Sequence, residues 1–223
     1  EDELLEIVSQ QLDAGKIIGW FQGRMEFGPR ALGSRSIIGD ARNSEMQTKM
    51  NLSIKFRESF RPFAPSVLEE EVDRYFDLDS PSPYMILVAP VAQNICKKLS
   101  EDETEQMKDP DLLKRVKIER SSLPAITHVD YSARVQSISD ERNGRYYQLV
   151  KKFNDATQSP VVVNTSFNIR GEPIVCTPKD AYRCFVSTDM DLLVLENFVL
   201  FKEEQPKSTL VAKENYLASF ELD

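Results

Sequence analysis

The sequence predicts an α/β domain built on a mixed sheet flanked by helices. Short apolar or β-branched runs, such as residues 16–21, 85–91 and 161–163, alternate with segments whose apolar residues recur at helical spacing. The runs at 125–130 and 133–139 are separated by only a short turn, which indicates hairpin-like neighbours within the same sheet. Strands that alternate with helices in this way are typical of α/β domains.

Each element follows from local patterning. Apolar residues between positions 4 and 12 lie at helical spacing and predict a first helix that ends at Gly15. Thr177 and Pro178 predict the start of another helix, because a hydroxyl cap and an early proline favour the first turn. In chain order, strands are predicted at 16–21, 36–39, 63–68, 85–91, 125–130, 133–139, 161–163 and 192–202, and helices at 45–54, 69–76 and 145–156.

Length and composition predict a single domain over residues 1–223, with its core from about residue 10 to residue 202. Residues 97–122 are highly charged and weakly periodic, which predicts a surface excursion, and residues 203–223 form a tail. The longest apolar runs fall short of the roughly 20 residues that a membrane span requires. The acidic start lacks an export signal, and three cysteines without C-x-x-C spacing indicate reduced thiols, so a cytoplasmic protein is expected.

A basic island lies in this acidic chain of formal net charge −8. Residues 23–65 contain eight Lys or Arg residues and four acids, a local charge of +4. Guanidinium groups bind phosphate or carboxylate through two parallel hydrogen bonds, so the island favours an anion site. It contains neither a P-loop nor a G-x-G-x-x-G motif. From composition alone, a solvated face with weak ion pairs is the alternative.

Two further segments carry polar side chains that could bind a ligand. Lys55 and Arg57 would face the same side of an extended segment and could hold one polyanion together. The segment 161–173 leaves a buried strand, which is where α/β folds place ligands. It offers Asn164, Thr165, Ser166, Asn168 and Arg170 within seven residues. Local turn chemistry is the alternative explanation for its Asn and Ser residues.

The segment around His128 completes the candidate site. His128, Asp130, Arg134 and Gln136 share a parity and would project from one strand face. Four polar groups on one face indicate a ligand or partner, although a single histidine is more often structural. One His and scattered carboxylates do not form a metal-ligand set, so no metal site is expected in this chain. No nucleophile–base pair is visible either.

Four long motifs occur in order between about residues 10 and 202. They read G-R-x-E-F-G-P-R-A-L-G-x-R-S-I, N-x-x-I-K-x-R-E-x-F-R-P-F-A-P, H-V-D-x-x-A-R-x-Q and V-V-x-N-T-S-F-N-x-x-G-E-P-I-V. Together they resemble the C-terminal domain of the O-carbamoyltransferases of nodulation and antibiotic biosynthesis. The resemblance implies a twisted mixed sheet around a basic cavity, similar to the YrdC-like fold of the threonylcarbamoyl-adenylate synthases. The K-x-R and S-x-N signatures of those synthases would be Lys55–Phe56–Arg57 and Ser166–Phe167–Asn168.

The resemblance also implies a reaction. Carbamoyl phosphate loses its phosphate, the carbamate attacks the α-phosphate of ATP, and carbamoyl adenylate forms as pyrophosphate leaves. Mg²⁺ would arrive with ATP rather than in a protein cage. An N-terminal, metal-binding transferase domain of the same polypeptide, absent from this chain, would then transfer the carbamoyl group to an alcohol. Neither a membrane nor nucleic acid is expected as a partner, since the chain is acidic.

The resemblance implies a role for each candidate residue in these motifs. The catalytic candidates are Arg30, Lys55, Arg61 and Arg134. The ATP-binding candidates are Lys55, Arg57, Asn164, Ser166 and Asn168. The candidates for binding carbamoyl phosphate are Arg24, Arg30, Arg35, Arg61, His128, Arg134 and Asn164. Two alternatives are a non-catalytic nucleotide- or phosphate-binding regulatory module and an enzyme similar to the tRNA threonylcarbamoyl-adenylate synthases.

Overall fold

A mixed eight-stranded sheet organises the chain, of which a computed structural model describes residues 2–206 together with Tyr216 and Phe220. Its strands are β1 (Ile18–Phe21), β2 (Arg35–Asp40), β3 (Ala64–Leu68), β4 (Leu87–Pro90), β5 (Ser132–Ile138), β6 (Val161–Ser166), β7 (Leu192–Leu195) and β8 (Phe198–Phe201). They lie in the order β4-β5-β3-β6-β2-β1-β7-β8. The pairs β1–β7 and β3–β5 are parallel, whereas the other neighbours are antiparallel. The predicted α/β class with a mixed sheet is confirmed.

Helices cover both faces of the sheet. They are α1 (Asp2–Asp13), α2 (Met46–Ser53), α3 (Val72–Tyr75), α4 (Glu101–Gln106), α5 (Leu112–Val116), α6 (Asp140–Asn143), α7 (Arg145–Thr157) and α8 (Pro178–Val186). Apolar residues of α1 and α7 form one buried cluster with one sheet face. Those of α2, α3 and α8 form a second cluster with the opposite face. The capping box predicted at Thr177 is present, since its hydroxyl accepts from the Asp180 amide.

The sheet face under α1 and α7 changes from apolar to polar along the strands. In β6, Val161 and Val163 point into the cluster of α2, α3 and α8, while Val162 points into that of α1 and α7. Asn164 follows Val162 on the same face, because side chains of a strand alternate. Next to it lie Ser66 and Gln136, which are fully buried. One sheet face therefore has an apolar end, packed by helices, and a polar end.

Three predicted strands differ from the structure. The segment 85–91 is not a buried strand: β4 is the edge of the sheet, it pairs only with β5, and Val88 is 63% exposed. Residues 125–130 form turns rather than a strand, and the His128 amide donates to the Ser132 carbonyl. The segment 192–202 is two antiparallel strands, because Glu196 adopts a left-handed conformation, φ 51°, and turns the chain.

The charged segment 97–122 contains two short helices, α4 and α5, and many exposed side chains, as a surface excursion should. Its end is nevertheless fixed by Arg120, which is only 2% exposed. The Arg120 guanidinium donates to the backbone carbonyls of Arg115, Ile118, Thr127 and His128. A helix was also expected at 69–76, where a 3₁₀ turn, Glu69–Glu71, leads into α3. Of the predicted tail 203–223, most residues lie outside the described part of the chain.

Candidate functional site

A polar cavity of about 140 Å³ lies at the polar end of the sheet face. The first residues of β3 and β5, the end of β6 and the loop 23–34 all contribute to it. Its lining residues are Pro29, Arg30, Ala31, Arg57, Pro62, Phe63, Ala64, Met85, Arg134, Asn164, Thr165 and Ser166. Three of these carry guanidinium groups and none carries a carboxylate, so the described lining is cationic.

Arg134 and Arg30 both line the cavity, Arg134 half-buried and Arg30 exposed. The Arg134 Nε atom is buried without a hydrogen-bond partner among the described residues, and its Nη2 atom donates to Met85 Sδ at 4.0 Å. Burial lowers the pKa of Arg134, and the positive charge of Arg30 lowers it further. Neither arginine forms an ion pair with a described carboxylate. Two unneutralised like charges held at one cavity favour an anionic ligand.

Arg57 supplies the third cation. Its Nε atom donates to Asn51 Oδ1 at 2.7 Å, and the guanidinium lies 5.0 Å from the centre of the Phe63 ring. Burial, with a smaller contribution from the neighbouring Arg61 charge, lowers the pKa of Arg57 to about 10. The Asn51 side chain thus fixes the Nε atom of the guanidinium, while Arg57 lines the cavity. This arrangement holds the guanidinium in a defined orientation before any ligand binds.

Lys55 lies behind the cavity wall rather than in its lining. The ammonium group is 4% exposed and donates to the Ser166 carbonyl, to the Asn168 carbonyl at 2.8 Å and to Asn168 Oδ1 at 2.9 Å. Burial first, then the Arg57 charge, lowers its pKa to about 7. The expectation that Lys55 and Arg57 project to one side is wrong, because the segment is not extended: Phe56 has a left-handed φ of 47°. Lys55 therefore faces the turn after β6, while Arg57 faces the cavity.

The S-x-N residues are joined to Lys55 in one hydrogen-bonded group. Ser166 Oγ donates to Asn168 Oδ1 at 2.7 Å, and Asn168 Nδ2 donates to the Glu172 carbonyl at 2.7 Å. Ser166 also lines the cavity, so this group connects Lys55 to the lining. Asn168 lies one layer behind, since both its side-chain atoms already have partners in the protein.

A network of buried amides forms the inner wall. Gln136 Nε2 donates to the Leu32 carbonyl at 2.9 Å, and Gln136 Oε1 accepts from Ser66 Oγ at 2.6 Å and from Asn164 Nδ2 at 2.8 Å. Asn164 Nδ2 also donates to the Ala31 carbonyl at 3.0 Å. Ser66, Gln136 and Asn164 are each at most 1% exposed. The wall is preorganised by bonds that join β3, β5 and β6 to the loop 23–34.

Two arginines of the basic island, Arg24 and Arg35, are outside the lining. Arg24 is exposed on the loop. The Arg35 guanidinium is buried, stacks 3.4 Å from the Phe21 ring centre, and donates to the carbonyls of Gln22, Ser34, Gly23 and Cys176. Its Nη1 and Nη2 donors are occupied by backbone, whereas its buried Nε atom has no hydrogen-bond partner among the described residues. Through these backbone bonds Arg35 holds the loop 23–34 in place.

Arg61 and His128 also lie outside the lining. Arg61 is exposed, and its Nε atom pairs with Glu58 Oε2 at 2.9 Å. His128 lies in the turn before β5, where burial lowers its pKa and its Nδ1 atom is 3.4 Å from Ser132 Oγ. Of the sequence candidates, the structure brings Arg30, Arg57, Arg134, Asn164 and Ser166 together at one cavity. Lys55 and Asn168 support that cavity from behind.

Sequence reasoning missed two residues that shape the site. Glu26 Oε1 accepts from the Leu32 and Ser34 amides, both at 2.7 Å, and so folds the loop that carries Arg30. Ser66 lies in β3 opposite Gln136 and completes the amide network. An acid within an arginine-rich loop and a serine within a buried apolar strand were both visible in the sequence. Either pattern could have indicated a buried hydrogen-bonding role.

Comparison with known proteins decides the family. The family model described as "Carbamoyltransferase C-terminus" matches residues 9–202. The chain belongs to this family. Among curated relatives, the uncharacterized protein sll1178 of Synechocystis is 57% identical over all of this chain, which covers 35% of that protein. Nodulation protein NolO of Bradyrhizobium diazoefficiens is 39% identical over 90% of this chain, which covers 33% of NolO.

A third relative is a named carbamoyltransferase. The 3'-hydroxymethylcephem-O-carbamoyltransferase of Streptomyces clavuligerus is 32% identical over 79% of this chain, which covers 29% of that enzyme. The chain therefore spans about a third of the length of these relatives. It is similar to a C-terminal part of longer carbamoyltransferases, as the motifs predicted.

Solved structures confirm the fold. Full-length HypF in a phosphate- and nucleotide-bound form matches with a TM-score of 0.53 at 18% identity, covering 86% of this carbamoyltransferase domain and 25% of HypF. The H234A/Y235A variant of P. abyssi Sua5 matches with a TM-score of 0.50 at 11% identity, covering 90% of this chain and 56% of Sua5. At these identities the likeness concerns the fold alone. The predicted YrdC-like architecture is confirmed.

Within the described residues, no helix combines the length and apolar character needed to cross a membrane. The same residues contain no group of three or more His, Cys, Asp or Glu side chains positioned to hold a metal ion.

Proposed function

We propose that this carbamoyltransferase domain binds ATP and carbamoyl phosphate and forms carbamoyl adenylate. The observation that carries the proposal is the cavity that Arg30, Arg57 and Arg134 line with no carboxylate among its described residues. Arg57 and Arg134 are partly buried without a carboxylate partner among the described residues, which is costly, and an anionic ligand removes that cost. Two polyanionic substrates repel each other, so bringing them together requires several fixed cations.

The proposed chemistry proceeds in two steps. Water takes the phosphoryl group of carbamoyl phosphate, which breaks the bond between the carbamate oxygen and phosphorus and leaves carbamate and inorganic phosphate. A carbamate oxygen then attacks the α-phosphorus of ATP, and the bond from that phosphorus to pyrophosphate breaks. The products are carbamoyl adenylate and pyrophosphate. The protein contributes positioning and charge stabilisation rather than a covalent intermediate.

Each residue has a proposed role. Arg30 and Arg134 bind the phosphate of carbamoyl phosphate, while Arg57 and Ser166 bind the phosphates of ATP. Lys55 and Asn168 act through Ser166, since their hydrogen bonds hold the turn on which Ser166 lies. Of the sequence candidates, Arg24 and Arg61 lie outside the cavity lining and so belong to the approach of substrate rather than to its final contacts.

Mg²⁺ fits this proposal as a companion of ATP. The described lining offers guanidinium, amide and hydroxyl groups but no carboxylate, and carboxylates are the protein ligands that Mg²⁺ prefers. Any Mg²⁺ at the cavity would therefore be held mainly by nucleotide phosphates. It would neutralise charge on those phosphates.

The remaining two thirds of the longer relatives would supply the second half of the reaction. We propose that an N-terminal transferase domain with its own metal moves the carbamoyl group from the adenylate to an alcohol. The name of the Streptomyces clavuligerus relative, an O-carbamoyltransferase of a hydroxymethyl group, supports this division. Full-length HypF, which contains a domain of the same fold, was solved in a phosphate- and nucleotide-bound form, and both proposed substrates belong to these ligand classes. Both substrates would be met in the cytoplasm.

The test is pyrophosphate release by this chain in the presence of ATP, Mg²⁺ and carbamoyl phosphate. Release that requires all three supports the proposal. Binding of ATP without turnover would instead identify a regulatory nucleotide-binding module. A salt-dependent electrophoretic shift with tRNA, combined with no response to carbamoyl phosphate, would favour an RNA-directed synthase.

A further inference from the structure

We propose that Asn164 selects the acyl group, because its Oδ1 atom accepts a hydrogen bond from the amino group of the carbamoyl end. The site would then discriminate against acyl phosphates of the same size and charge that lack an N–H donor. This inference rests on the proposed function, since it assumes that the arginine-lined cavity holds an acyl phosphate.

Two backbone carbonyls fix which way the buried amides point. A carbonyl can only accept, so the atom of Asn164 at 3.0 Å from the Ala31 carbonyl must be its NH₂ nitrogen. By the same argument, the atom of Gln136 at 2.9 Å from the Leu32 carbonyl is its NH₂ nitrogen. The oxygen of Gln136 therefore faces the NH₂ group of Asn164, at 2.8 Å. That NH₂ group also lies 3.0 Å from Ser66 Oγ, so its two hydrogens are shared among three acceptors.

With its nitrogen committed to the network, the oxygen is the polar atom of the Asn164 side chain that is left for a ligand of the cavity. Asn164 is 1% exposed and lines the cavity, and its Oδ1 atom is buried without a hydrogen-bond partner. A buried acceptor left unpaired is destabilising, so native proteins rarely keep one without a ligand or an ordered water. A flip of the amide would not relieve this cost, since it would place an oxygen against the Ala31 carbonyl.

The surroundings determine which donor fits. Arg30 and Arg134 provide donors for the phosphate end of a ligand, whereas Asn164 Oδ1 is an acceptor on the same lining. A ligand that satisfies both must carry an anionic group and a neutral N–H group a few bonds apart. Carbamoyl phosphate has this arrangement. Acetyl phosphate carries a methyl group in place of the amino group, and a carboxylate analogue would bring an anionic oxygen against Oδ1.

Gln136 and Ser66 are positioning residues in this scheme. They do not line the cavity, and their hydrogen bonds hold the Asn164 amide in the orientation that leaves its oxygen without a partner in the protein. Recognition by a fixed, buried acceptor can be strongly selective, because an analogue without the donor leaves the acceptor unpaired.

The experiment compares two stable phosphonates in calorimetric titrations of this chain. Phosphonoacetamide carries the amide of carbamoyl phosphate, and acetonylphosphonate carries a methyl ketone of nearly the same size. We expect the wild-type protein to bind phosphonoacetamide about 10- to 100-fold more tightly. Equal affinities for the two compounds would overturn the inference while leaving the anion site intact. If neither compound binds and carbamoyl phosphate itself does not bind either, the proposed function itself fails.

A variant assigns the selectivity to one side chain. In Asn164→Ser the shorter hydroxyl can still bond within the wall but no longer presents an acceptor to the cavity. We expect it to bind both phosphonates with similar, weaker affinity. Asn94→Ala, an exposed site whose side chain bonds only the Arg74 carbonyl, should retain the wild-type preference. A preference that survives in Asn164→Ser would overturn the assignment. The wild-type comparison decides the inference even if that variant does not fold.

Discussion

The sheet face under α1 and α7 has an apolar end and a polar end, which are built on the same strands but differ in chemical character. Under α1 and α7, Val162 belongs to the same apolar core cluster as Trp20 and Phe153, and all three side chains are fully buried. Two residues further along β6, Asn164 enters a wall of amides that is equally buried but entirely polar. The apolar end stabilises the fold through burial, and the polar end is positioned by hydrogen bonds for a ligand. Substitutions at the two ends should therefore affect different measurements.

The largest effect should come from the apolar end. Phe153→Ala removes a fully buried ring from the cluster under α1 and α7. We expect a loss of about 3–5 kcal/mol in the free energy of unfolding, measured by urea denaturation. The protein that stays folded should keep the wild-type Kd for carbamoyl phosphate. Lys151→Ala, on the exposed side of the same helix, is the control. A weakened Kd in Phe153→Ala would show that the two ends are coupled.

At the polar end the pattern should reverse. Arg134→Ala should lower carbamoyl-phosphate-dependent ATP–pyrophosphate exchange about 100- to 1,000-fold, the scale for one donor to a transition-state charge. Its free energy of unfolding should change by about 1 kcal/mol or less, since the described contacts of the guanidinium are few. Arg134→Lys should also fail, because lysine keeps the charge but not the planar fork.

The matched control for that experiment is Arg74→Ala, at an exposed arginine outside the cavity. ATP binding should be nearly unchanged in Arg134→Ala. Parallel loss of ATP binding and exchange would assign Arg134 to the nucleotide, and unchanged exchange would leave it with no part in the reaction.

Lys55, behind the cavity wall at the polar end, should show its effect through pH. Burial lowers its folded-state pKa to about 7, whereas the unfolded chain keeps a pKa of about 10.4. Between these values the unfolded chain binds a proton that the folded chain has released, so stability rises with pH by up to about 1.4 kcal/mol per unit. Lys55→Met removes this contribution. The free energy of unfolding of the wild type minus that of Lys55→Met should therefore increase from pH 7 to pH 9 in urea titrations. A constant difference would mean that three oxygen acceptors keep the ammonium charged.

The smallest effect should come from Arg61. It is exposed and pairs with Glu58 three residues earlier, an arrangement worth about 0–1 kcal/mol. Arg61→Ala should lower exchange by only a few-fold and leave unfolding nearly unchanged. A drop as large as that of Arg134→Ala would show that Arg61 moves into the cavity when substrate binds.

The sequence could predict the strands that build the site, because their patterns are local. Alternation in 133–139 placed Arg134 and Gln136 on one face, and the polar run after Val163 marked the ligand end of β6. The direction of Lys55 could not be predicted in this way. It depends on the left-handed conformation of Phe56 and on acceptors more than a hundred residues away.

The same distinction explains the errors in the sheet. An apolar run predicts a strand, but whether it is central or at the edge depends on which strands pair with it. Residues 85–91 therefore looked buried, although β4 has only one neighbour. Arg35 was misassigned for a similar reason, because its contacts also depend on distant parts of the chain. Its motif suggested substrate, while its partners are backbone carbonyls that become neighbours only after folding.

Glu26 and Arg35 hold the loop 23–34 only through its main chain and that of its neighbours. Main-chain groups are the same for nearly every amino acid, so the loop's path is insulated from changes in the side chains at its tip. Phe27, at that tip, is fully exposed. Side chains at the exposed tip of the loop can therefore be exchanged while the main-chain bonds that position Arg30 and Ala31 in the cavity lining stay the same.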